Sequence, residues 1–403
     1  MSLSAAIFIE SNTSGSGAEF ILRTAELGLL PVFLTASPER YGFLHSGANV
    51  EVRACDTSSD AAVTAVVDEV AAVRPIELIT TSSDFFLYIA AVQARRLGLA
   101  GSDPNVIALC RDKALQAAAL RAQGIAVPCS AAVRTHCDIP NAIARVGLPA
   151  VAKPISGTGS IGVRLVETEN DAIQALGGLL GTTTDFRGRV IQCGALLMSY
   201  IVGDEFSVEI LDGRVIGVTR KHLGPLPNFV EIGHDMPAMI SRHLRAQIVR
   251  SALRAIKALG HVRGPAHVEL RADLRRVTII EVNPRLAGGS IPSLFRHASG
   301  FDPIRAVLLS LLGMPFGSPT TSAHGSIRFI VPEHEGRFDF PHNGDRLMDQ
   351  FALAEFKLYR TLPTDFSRCN DFRDRIGHVI AVDTDPVAAA RRAEAAVRFI
   401  RHA

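Results

Sequence analysis

The stretch IIEVNPRLAGGS, residues 279–290, ends an apolar run with a carboxylate and a carboxamide two residues apart, then adds an arginine and two glycines. The stretch before it, PAHVELR, residues 265–271, also alternates polar and apolar residues. If the two segments form a hairpin centred near Arg275, antiparallel register places Glu269 opposite Glu281 and His267 opposite Asn283. The sequence therefore predicts two facing acids in neighbouring strands.

This hairpin is predicted to have one polar face and one apolar face, because side chains alternate along a strand. The apolar face would carry Val268, Leu270, Ile280 and Val282. Two like charges directly opposite each other destabilise a sheet unless a cation lies between them. Carboxylate and amide oxygens suit Mg²⁺, which completes its octahedron with waters and substrate phosphates. An ordinary solvated acidic face fits the hairpin alone equally well.

The residues after the second strand favour a metal site over an ordinary solvated face. The planar fork of Arg285 suits a phosphate or a carboxylate. Gly288 and Gly289 would let backbone N–H groups approach an anion at the start of a following helix. We therefore interpret residues 265–290 as a metal–phosphate site.

A glycine-rich loop lies earlier in the chain, at GTGSIG, residues 157–162. It matches GxGxxG, but the following VRLVE indicates a strand, whereas a dinucleotide-binding loop needs a helix there. Strand, glycine loop and strand are typical of a flap that covers phosphates, with Lys153 at the end of the first strand. A plain hairpin turn beside a surface lysine is the alternative. No GxxxxGK[ST] motif occurs in the sequence, which excludes a P-loop.

The amino-acid composition limits which classes of protein the chain could belong to. The chain has 403 residues, of which 47% are hydrophobic and 20% charged, with a net charge of +2. This profile predicts a globular protein of two to four domains and gives no reason to expect nucleic acid or a membrane as a partner. The six cysteines have no CxxC spacing, and the N-terminus lacks a signal-peptide pattern, so we expect a cytoplasmic protein.

The first hundred residues alternate strand and helix patterns, which predicts a Rossmann-like parallel layer. Two helices follow up to Gly124, and a mixed, strand-rich segment begins after Pro128. The expected class is α/β, of mixed α+β type.

Taken in order, RDKALQAAALRAQGIAVP, VAKPISGTGSIGV, SYIVGDEFSVE, GPAHVEL and IIEVNPRLAGG resemble the ATP-grasp superfamily of carboxylate–amine ligases, from about Leu3 to Gly313. IFIESNTSGSG, PERYGFL, TTSSDFFLYIAA and FVEIGHDMPA are most similar to the branch with L-amino acid ligases and the modules related to argininosuccinate-lyase fusions. The resemblance implies an ATP-grasp fold with two ATP-clamping lobes. Its expected parts are a Rossmann-like pre-ATP-grasp domain, residues 1–100; a helical linker, 101–127; a small lobe with the glycine loop, 128–203; a large lobe with the metal site, 204–313; and a small C-terminal subdomain, 314–403.

The resemblance also implies roles for individual residues. Those expected to bind ATP are Lys113, Lys153, Gly157, Thr158, Gly159, Ser160, the hinge residues Tyr200 and Ile201, and Glu205 on the ribose. Those expected to bind Mg²⁺, with Mn²⁺ as a substitute, are Glu269, Glu281 and Asn283. Arg285 would hold the transferred phosphate or the substrate carboxylate, and Lys221 would reach the γ-phosphate. Many relatives have a Glu just before the hinge, where this chain has Met198 and Ser199, so adenine recognition is expected to rely more on backbone groups.

The expected reaction joins a carboxylate to an amine, both small molecules of amino-acid type, through an acyl phosphate. Arg285 and the Gly288–Gly289 amides would stabilise the tetrahedral oxyanion. The candidates that could bind and deprotonate the amine are His234, Glu231 and His267. The sequence does not choose between them.

Two alternatives stay open at this point. One is a carboxylase-type enzyme that phosphorylates bicarbonate, and the other is a nucleotide-binding regulator without turnover. The metal-type acids and Lys153 disfavour the regulator. A homodimer is a further expectation, whereas the substrates themselves and the role of residues 314–403 are not predicted.

Overall fold

The computed structural model describes residues 3–13, 16–45, 49–185, 188–189, 191, 193–320, 323–340 and 344–402. Helices and strands alternate at the N-terminus and give way to a largely antiparallel middle. The expected mixed α/β class is confirmed. No helix in these ranges is both long and apolar enough to cross a bilayer.

The N-terminal layer is a parallel sheet with strand order β3-β2-β1-β4. Its two central strands, β1 and β2, are apolar and almost fully buried, as expected for a parallel sheet covered by helices. This confirms the predicted Rossmann-like layer; the short β3 was not predicted. The elements are β1 (Ala5–Ile9), α1 (Gly17–Glu26), β2 (Leu30–Thr35), β3 (Glu51–Ala54), α2 (Asp60–Val73), β4 (Ile76–Thr80) and α3 (Leu87–Arg96).

Two helices then lead into a four-stranded antiparallel sheet with strand order β5-β8-β6-β7. The glycine loop joins β6 to β7, so the predicted order of strand, loop and strand is confirmed. The elements are α4 (Pro104–Arg111), α5 (Lys113–Ala122), β5 (Ser130–Val133), α6 (Ile139–Val146), β6 (Ala150–Pro154), β7 (Arg164–Val166), α7 (Glu169–Leu180) and β8 (Ala195–Ser199).

An eight-stranded sheet, with order β13-β12-β9-β10-β11-β14-β18-β16, forms the largest layer. Strands from residues beyond 313 continue this sheet, because β14 pairs with β11, β18 with β14 and β16 with β18. The elements are β9 (Asp204–Leu211), β10 (Arg214–Leu223), β11 (Glu231–Met236), α8 (Arg242–Ala258), β12 (Pro265–Ala272), β13 (Val277–Asn283), α9 (Ile291–Ser299), α10 (Pro303–Leu311), β14 (His324–Ile330), β15 (Gly336–Phe338), α11 (Gly344–Phe351), β16 (Leu353–Leu358), β17 (Thr364–Phe366), β18 (Gly377–Asp383) and α12 (Pro386–His402).

The β12–β13 hairpin has the predicted register at its polar end. His267 pairs with Asn283 and Glu269 with Glu281. A bulge follows Glu269, so that Leu270 pairs with Ile279. The prediction that Ile280 belongs to the core face was therefore wrong. Since the bulge adds one residue to β13, Ile279 enters the core and Ile280 faces the cavity instead.

The core beneath the hairpin fixes this register. Val268, Leu270 and Val282 are fully buried and belong to the same cluster as Ile248 and Ala252 of α8. A slip by one residue would move the buried set to the cavity face, and each large aliphatic side chain exposed would cost about 1.5–3 kcal/mol. Packing of the apolar face therefore holds the acids on the other face in place.

Candidate functional site

A cavity of about 460 Å³ lies where the three sheets meet. The parallel sheet contributes the residues after β1 and β4, the four-stranded sheet contributes the glycine loop and hinge, and the eight-stranded sheet contributes the acidic hairpin. Every residue expected to bind ATP, metal or substrate lines this cavity except His234. Segments more than a hundred residues apart thus converge on one space.

The hairpin acids meet lysines from other elements. Glu281 lies 3.2 Å from the Lys113 Nζ and 3.5 Å from the Lys153 Nζ. Burial lowers the pKa of Lys153, although Glu281 opposes the shift. The Lys113 ammonium also donates to the Gly157 carbonyl at 2.7 Å, which ties the glycine loop to the same cluster. The two lysines predicted to contact phosphates therefore lie together beneath the loop.

The glycine loop has the backbone that its sequence requires. Gly157, Gly159 and Gly162 all adopt positive φ values of 141°, 70° and 68°, a region that other L-residues avoid. Gly159 also packs directly against the ring of Phe372. A Cβ at this position would come within 2.4 Å of that ring, so only glycine fits there. The Phe372 N–H donates to the Gly159 carbonyl at 3.3 Å. The C-terminal segment thus contacts the loop from the far side of the cavity.

A second charged cluster surrounds the buried ammonium of Lys221. Its Nζ lies 3.1 Å from Glu205, 2.7 Å from Glu231 and 2.9 Å from Glu269. Burial opposes the charge, but the three carboxylates raise the pKa of Lys221 well above its usual value. The same three acids offer oxygens within 4.8 Å of one another, as a metal site would. The single ammonium offsets one of the three negative charges, and Glu269 belongs both to this cluster and to the pair of facing hairpin acids.

The predicted metal ligands fit a hard divalent cation better. Glu269 and Glu281 face each other across β12 and β13. Asn283 lies next to them, and its Nδ2 donates to Glu269 Oε1 at 3.4 Å. Two carboxylates and an amide at one end of a hairpin form the oxygen-rich donor set that Mg²⁺ prefers. Lys153 and Lys221 contribute positive charge on either side, as a polyphosphate would require.

The hinge contains a residue that sequence reasoning missed. Arg271 donates from Nη1 to the Ile201 carbonyl at 2.9 Å and from Nε to Glu205 Oε2 at 3.1 Å. Its guanidinium also lies 5.1 Å from the Tyr200 ring centroid. Glu205, expected on the ribose, is therefore held between Arg271 and Lys221. The signal in the sequence was the position of Arg271, two residues after Glu269 and so on the same face of β12.

Arg285 links three parts of the molecule. Its guanidinium forms an ion pair with Asp84 of the N-terminal layer, and Nη2 lies 3.4 Å from the Thr158 hydroxyl of the glycine loop. The turn at Gly288–Gly289 follows and opens α9, as the sequence predicts. Arg285 is placed where an anion under the loop would meet it.

The three candidates for the amine base are poorly suited to that role. His234 is fully buried outside the cavity wall, and burial lowers its pKa to about 3. Burial opposes the charge of Glu231, but Lys221 and Arg375 hold the pKa of this carboxyl well below its usual range. His267 is buried too, yet Glu209 raises its pKa to about 9. Glu231 and His267 line the cavity whereas His234 does not, and the assignment of the base among the three stays a prediction.

The C-terminal segment supplies cavity residues that the sequence did not predict: Glu355, Lys357, Phe372 and Arg375. Arg375 donates from Nη2 to Glu231 Oε2 at 2.9 Å. Glu355 accepts hydrogen bonds from Ser293, from His297 at 2.8 Å and from His378 at 3.0 Å. These residues carry no local motif, and only the pairing of β14, β18 and β16 onto β11 brings them to the site.

Comparison with known proteins agrees with this geometry. Residues 146–293 match the family model described as an ATP-grasp domain. An uncharacterised protein of Sinorhizobium fredii, y4rH, is 30% identical over 378 residues, which span 94% of this chain and 78% of that protein. Carnosine synthase 1 of Gallus gallus is 32% identical over 256 residues, 60% of this chain but only 28% of that enzyme. The crystal structure of an L-amino acid ligase from Bacillus licheniformis superposes with a TM-score of 0.81 at 20% identity, covering 100% of this chain and 98% of that one.

Proposed function

The chain belongs to the ATP-grasp superfamily of ATP-dependent ligases, and we propose that it joins an amino-acid-like carboxylate to an amine through an acyl phosphate. The observation that carries the proposal is the convergence of Lys113, Lys153 and the glycine loop on the acidic end of the β12–β13 hairpin. A carboxylate needs a good leaving group before an amine can attack it, and phosphorylation by ATP supplies one.

The two lysines and the glycine loop are proposed to hold the ATP phosphates. Glu269, Glu281 and Asn283 are proposed to hold Mg²⁺, or Mn²⁺ in its place. When bound, the ion neutralises charge on the phosphates. Tyr200 and Ile201 are proposed to line the adenine site, while Arg271 fixes the Ile201 carbonyl by a hydrogen bond of 2.9 Å.

Arg285 is proposed to orient the carboxylate and the transferred phosphoryl group, because it lies between the glycine loop and the turn at Gly288–Gly289. The loop would exclude water from the acyl phosphate, which hydrolyses readily. The attack of the amine forms a tetrahedral oxyanion, which must be stabilised. Arg285 and the backbone N–H groups of Gly288 and Gly289, just before α9, are proposed to stabilise it.

Incubation of the full chain with ATP, Mg²⁺ and pairs of amino acids tests the proposal. We expect phosphate release that depends on both substrates, with a product whose mass equals their sum less one water. ATP consumption without a new amide mass under any pair would overturn the ligase assignment. Bicarbonate with biotin, as a separate arm, tests the carboxylase alternative, and the absence of any turnover would support the regulator.

The expected homodimer and cytoplasmic location stay predictions. So do the roles of individual site residues.

A further inference from the structure

Phe372 belongs to a short turn of the C-terminal segment that is held by its own hydrogen bonds. Asp371 accepts a bond from the Arg373 N–H at 3.0 Å. Asp374 accepts one from the Asn370 N–H at 2.8 Å. Both carboxylates are buried. Because side chains of the turn satisfy its backbone donors, the turn keeps its shape without a ligand and presents Phe372 in a fixed position.

The glycine loop packs on this residue. A Cβ on Gly159 would lie 2.4 Å from Phe372 Cδ1 and 3.1 Å from both Cγ and Cε1, so the loop backbone rests directly on the ring. The Phe372 N–H also donates to the Gly159 carbonyl at 3.3 Å. This contact joins the glycine loop to the C-terminal segment through an aromatic ring and a neutral hydrogen bond.

The contact differs from two others that hold the same loop. The Lys113 Nζ donates to the Gly157 carbonyl at 2.7 Å, and Arg285 Nη2 lies 3.4 Å from the Thr158 hydroxyl. Both cations are proposed to bind phosphate, so each would exchange its loop contact for a phosphate oxygen during the reaction. The contact with Phe372 has no charge to exchange, and it can therefore persist while the phosphoryl group is transferred.

The turn is also anchored to the eight-stranded sheet. The Arg375 N–H donates to the Phe372 carbonyl at 3.2 Å, and the Arg375 side chain donates to Glu231 Oε2 at 2.9 Å. Glu231 in turn lies 2.7 Å from the buried Lys221 Nζ. The ring is thus a fixed point against which the glycine loop can close.

We propose that Phe372 is a positioning residue that keeps the glycine loop closed over the acyl phosphate until the amine attacks. The inference rests on the proposed ligase function. When the loop opens, water adds to the acyl carbon in place of the amine. The bond from this carbon to the phosphate oxygen then breaks, and the carboxylate, inorganic phosphate and one proton are released. The C-terminal segment thus couples ATP cleavage to amide formation.

The amount of phosphate released without amide, divided by the amount of amide formed, measures this coupling. The full chain receives ATP, Mg²⁺ and the pair of standard amino acids that gives the most amide. Phosphate and amide are quantified in the same sample. A fraction of unfolded enzyme lowers both yields equally, so a purely structural loss does not change the ratio.

We expect Phe372→Ala to raise this ratio by about 3- to 10-fold, because loss of one apolar contact shifts a loop from closed to open on that scale. Phe372→Leu keeps an apolar side chain and should restore part of the coupling. Val387→Ala is the control, because Val387 is an exposed apolar residue of α12 that does not line the cavity. It should match the wild type.

A double-mutant cycle with Gly159→Ala tests the contact itself. With the ring in place, the new Cβ would meet it at 2.4 Å and push the loop away, so this change should also raise the ratio. In Phe372→Ala the ring is absent, and Gly159→Ala should add less than it does alone, because only its φ of 70° stays unfavourable. If the two changes act independently, the ring and the loop do not work as a pair, and the inference is overturned.

The outcomes separate this inference from the ligase function. If the wild type forms no amide with any pair, the ligase function fails and the inference falls with it. If the wild type forms amide and Phe372→Ala shows the same ratio, only the inference is overturned, even where both yields fall together.

Discussion

Carboxylates on two walls of the same cavity have different partners, which are lysines on one wall and hydrogen-bond donors of histidine and serine on the other. On the hairpin wall, Glu269 and Glu281 face one another and are neutralised by lysines from distant elements. On the C-terminal wall, Glu355 is surrounded by hydrogen-bond donors, two histidines and a serine, from α9 and β18. The first arrangement depends on ion pairs between separate side chains, and a bound divalent ion and phosphates would offer these side chains new partners. The second is satisfied within the protein, so it supports the wall rather than the chemistry.

The largest expected effect of breaking the hairpin wall comes from Lys221→Met. This change leaves Glu205, Glu231 and Glu269 buried without their shared cation, and loss of one partner of a buried ion pair costs about 3–5 kcal/mol. Urea unfolding followed by circular dichroism measures it. Lys257→Met, on an exposed position of α8, is the control and should stay within about 0.5 kcal/mol of the wild type. Equal stability of the two variants would contradict the charge cluster described above.

Glu281→Gln tests whether the same wall holds the ion. The amide keeps the shape but removes the charge that faces Glu269, Lys113 and Lys153. We expect ATP turnover to fall by about 100-fold or more, the scale on which loss of a charge-stabilising group lowers kcat. Phosphate release across a Mg²⁺ titration gives the measurement, and more Mg²⁺ should recover part of the activity. Full activity at low Mg²⁺ would remove Glu281 from the metal site.

The hairpin wall could be predicted from sequence because its information is local. Glu269, Glu281 and Asn283 lie within two adjacent strands, and alternation together with a short turn fixes which residues face each other. The glycine loop and the parallel N-terminal layer are local in the same sense. The bulge after Glu269 was not predicted, since nothing in the spacing of PAHVELR and VTIIEVN shows where an extra residue is accommodated.

The C-terminal wall could not be predicted for the opposite reason. Glu355 and Arg375 reach the cavity only because β14 pairs with β11, more than eighty residues earlier in the chain, and β18 and β16 follow it. Such pairing has no signature in either strand alone. The burial of His234 beside Phe329 could not be predicted either, because it depends on the same pairing of β14 with β11.

Glu355→Gln tests whether the carboxylate of the C-terminal wall stabilises the fold rather than the bound metal. The glutamine oxygen can still accept one or two bonds, but its NH₂ group would face a donor among His297, His378 and Ser293. We expect a loss of about 1–3 kcal/mol in unfolding free energy, the penalty for an unsatisfied buried group. Thermal unfolding measures it, alongside the Mg²⁺ titration used for Glu281→Gln. A Mg²⁺-dependent loss of turnover here would erase the distinction between the two walls.

The smallest expected effect is at the turn that joins the walls. In Gly289→Ala, the methyl group would lie 2.7 Å from His234 Nε2, and the residue would keep a φ of 58°. A left-handed conformation costs an alanine about 1–2 kcal/mol. Gly288→Ala is the matched control, since a Cβ there meets nothing within 4 Å and its φ is not positive.

Chemical unfolding of the two alanine variants measures whether the turn tolerates a side chain at Gly289. Gly289→Ala should be the less stable, and because the turn carries Arg285 on one side and packs against Arg375 on the other, its kcat should fall as well. Gly288→Ala should keep both properties. If the variants behave alike, the turn is tolerant of a side chain, and the two walls are not held in register through Gly289.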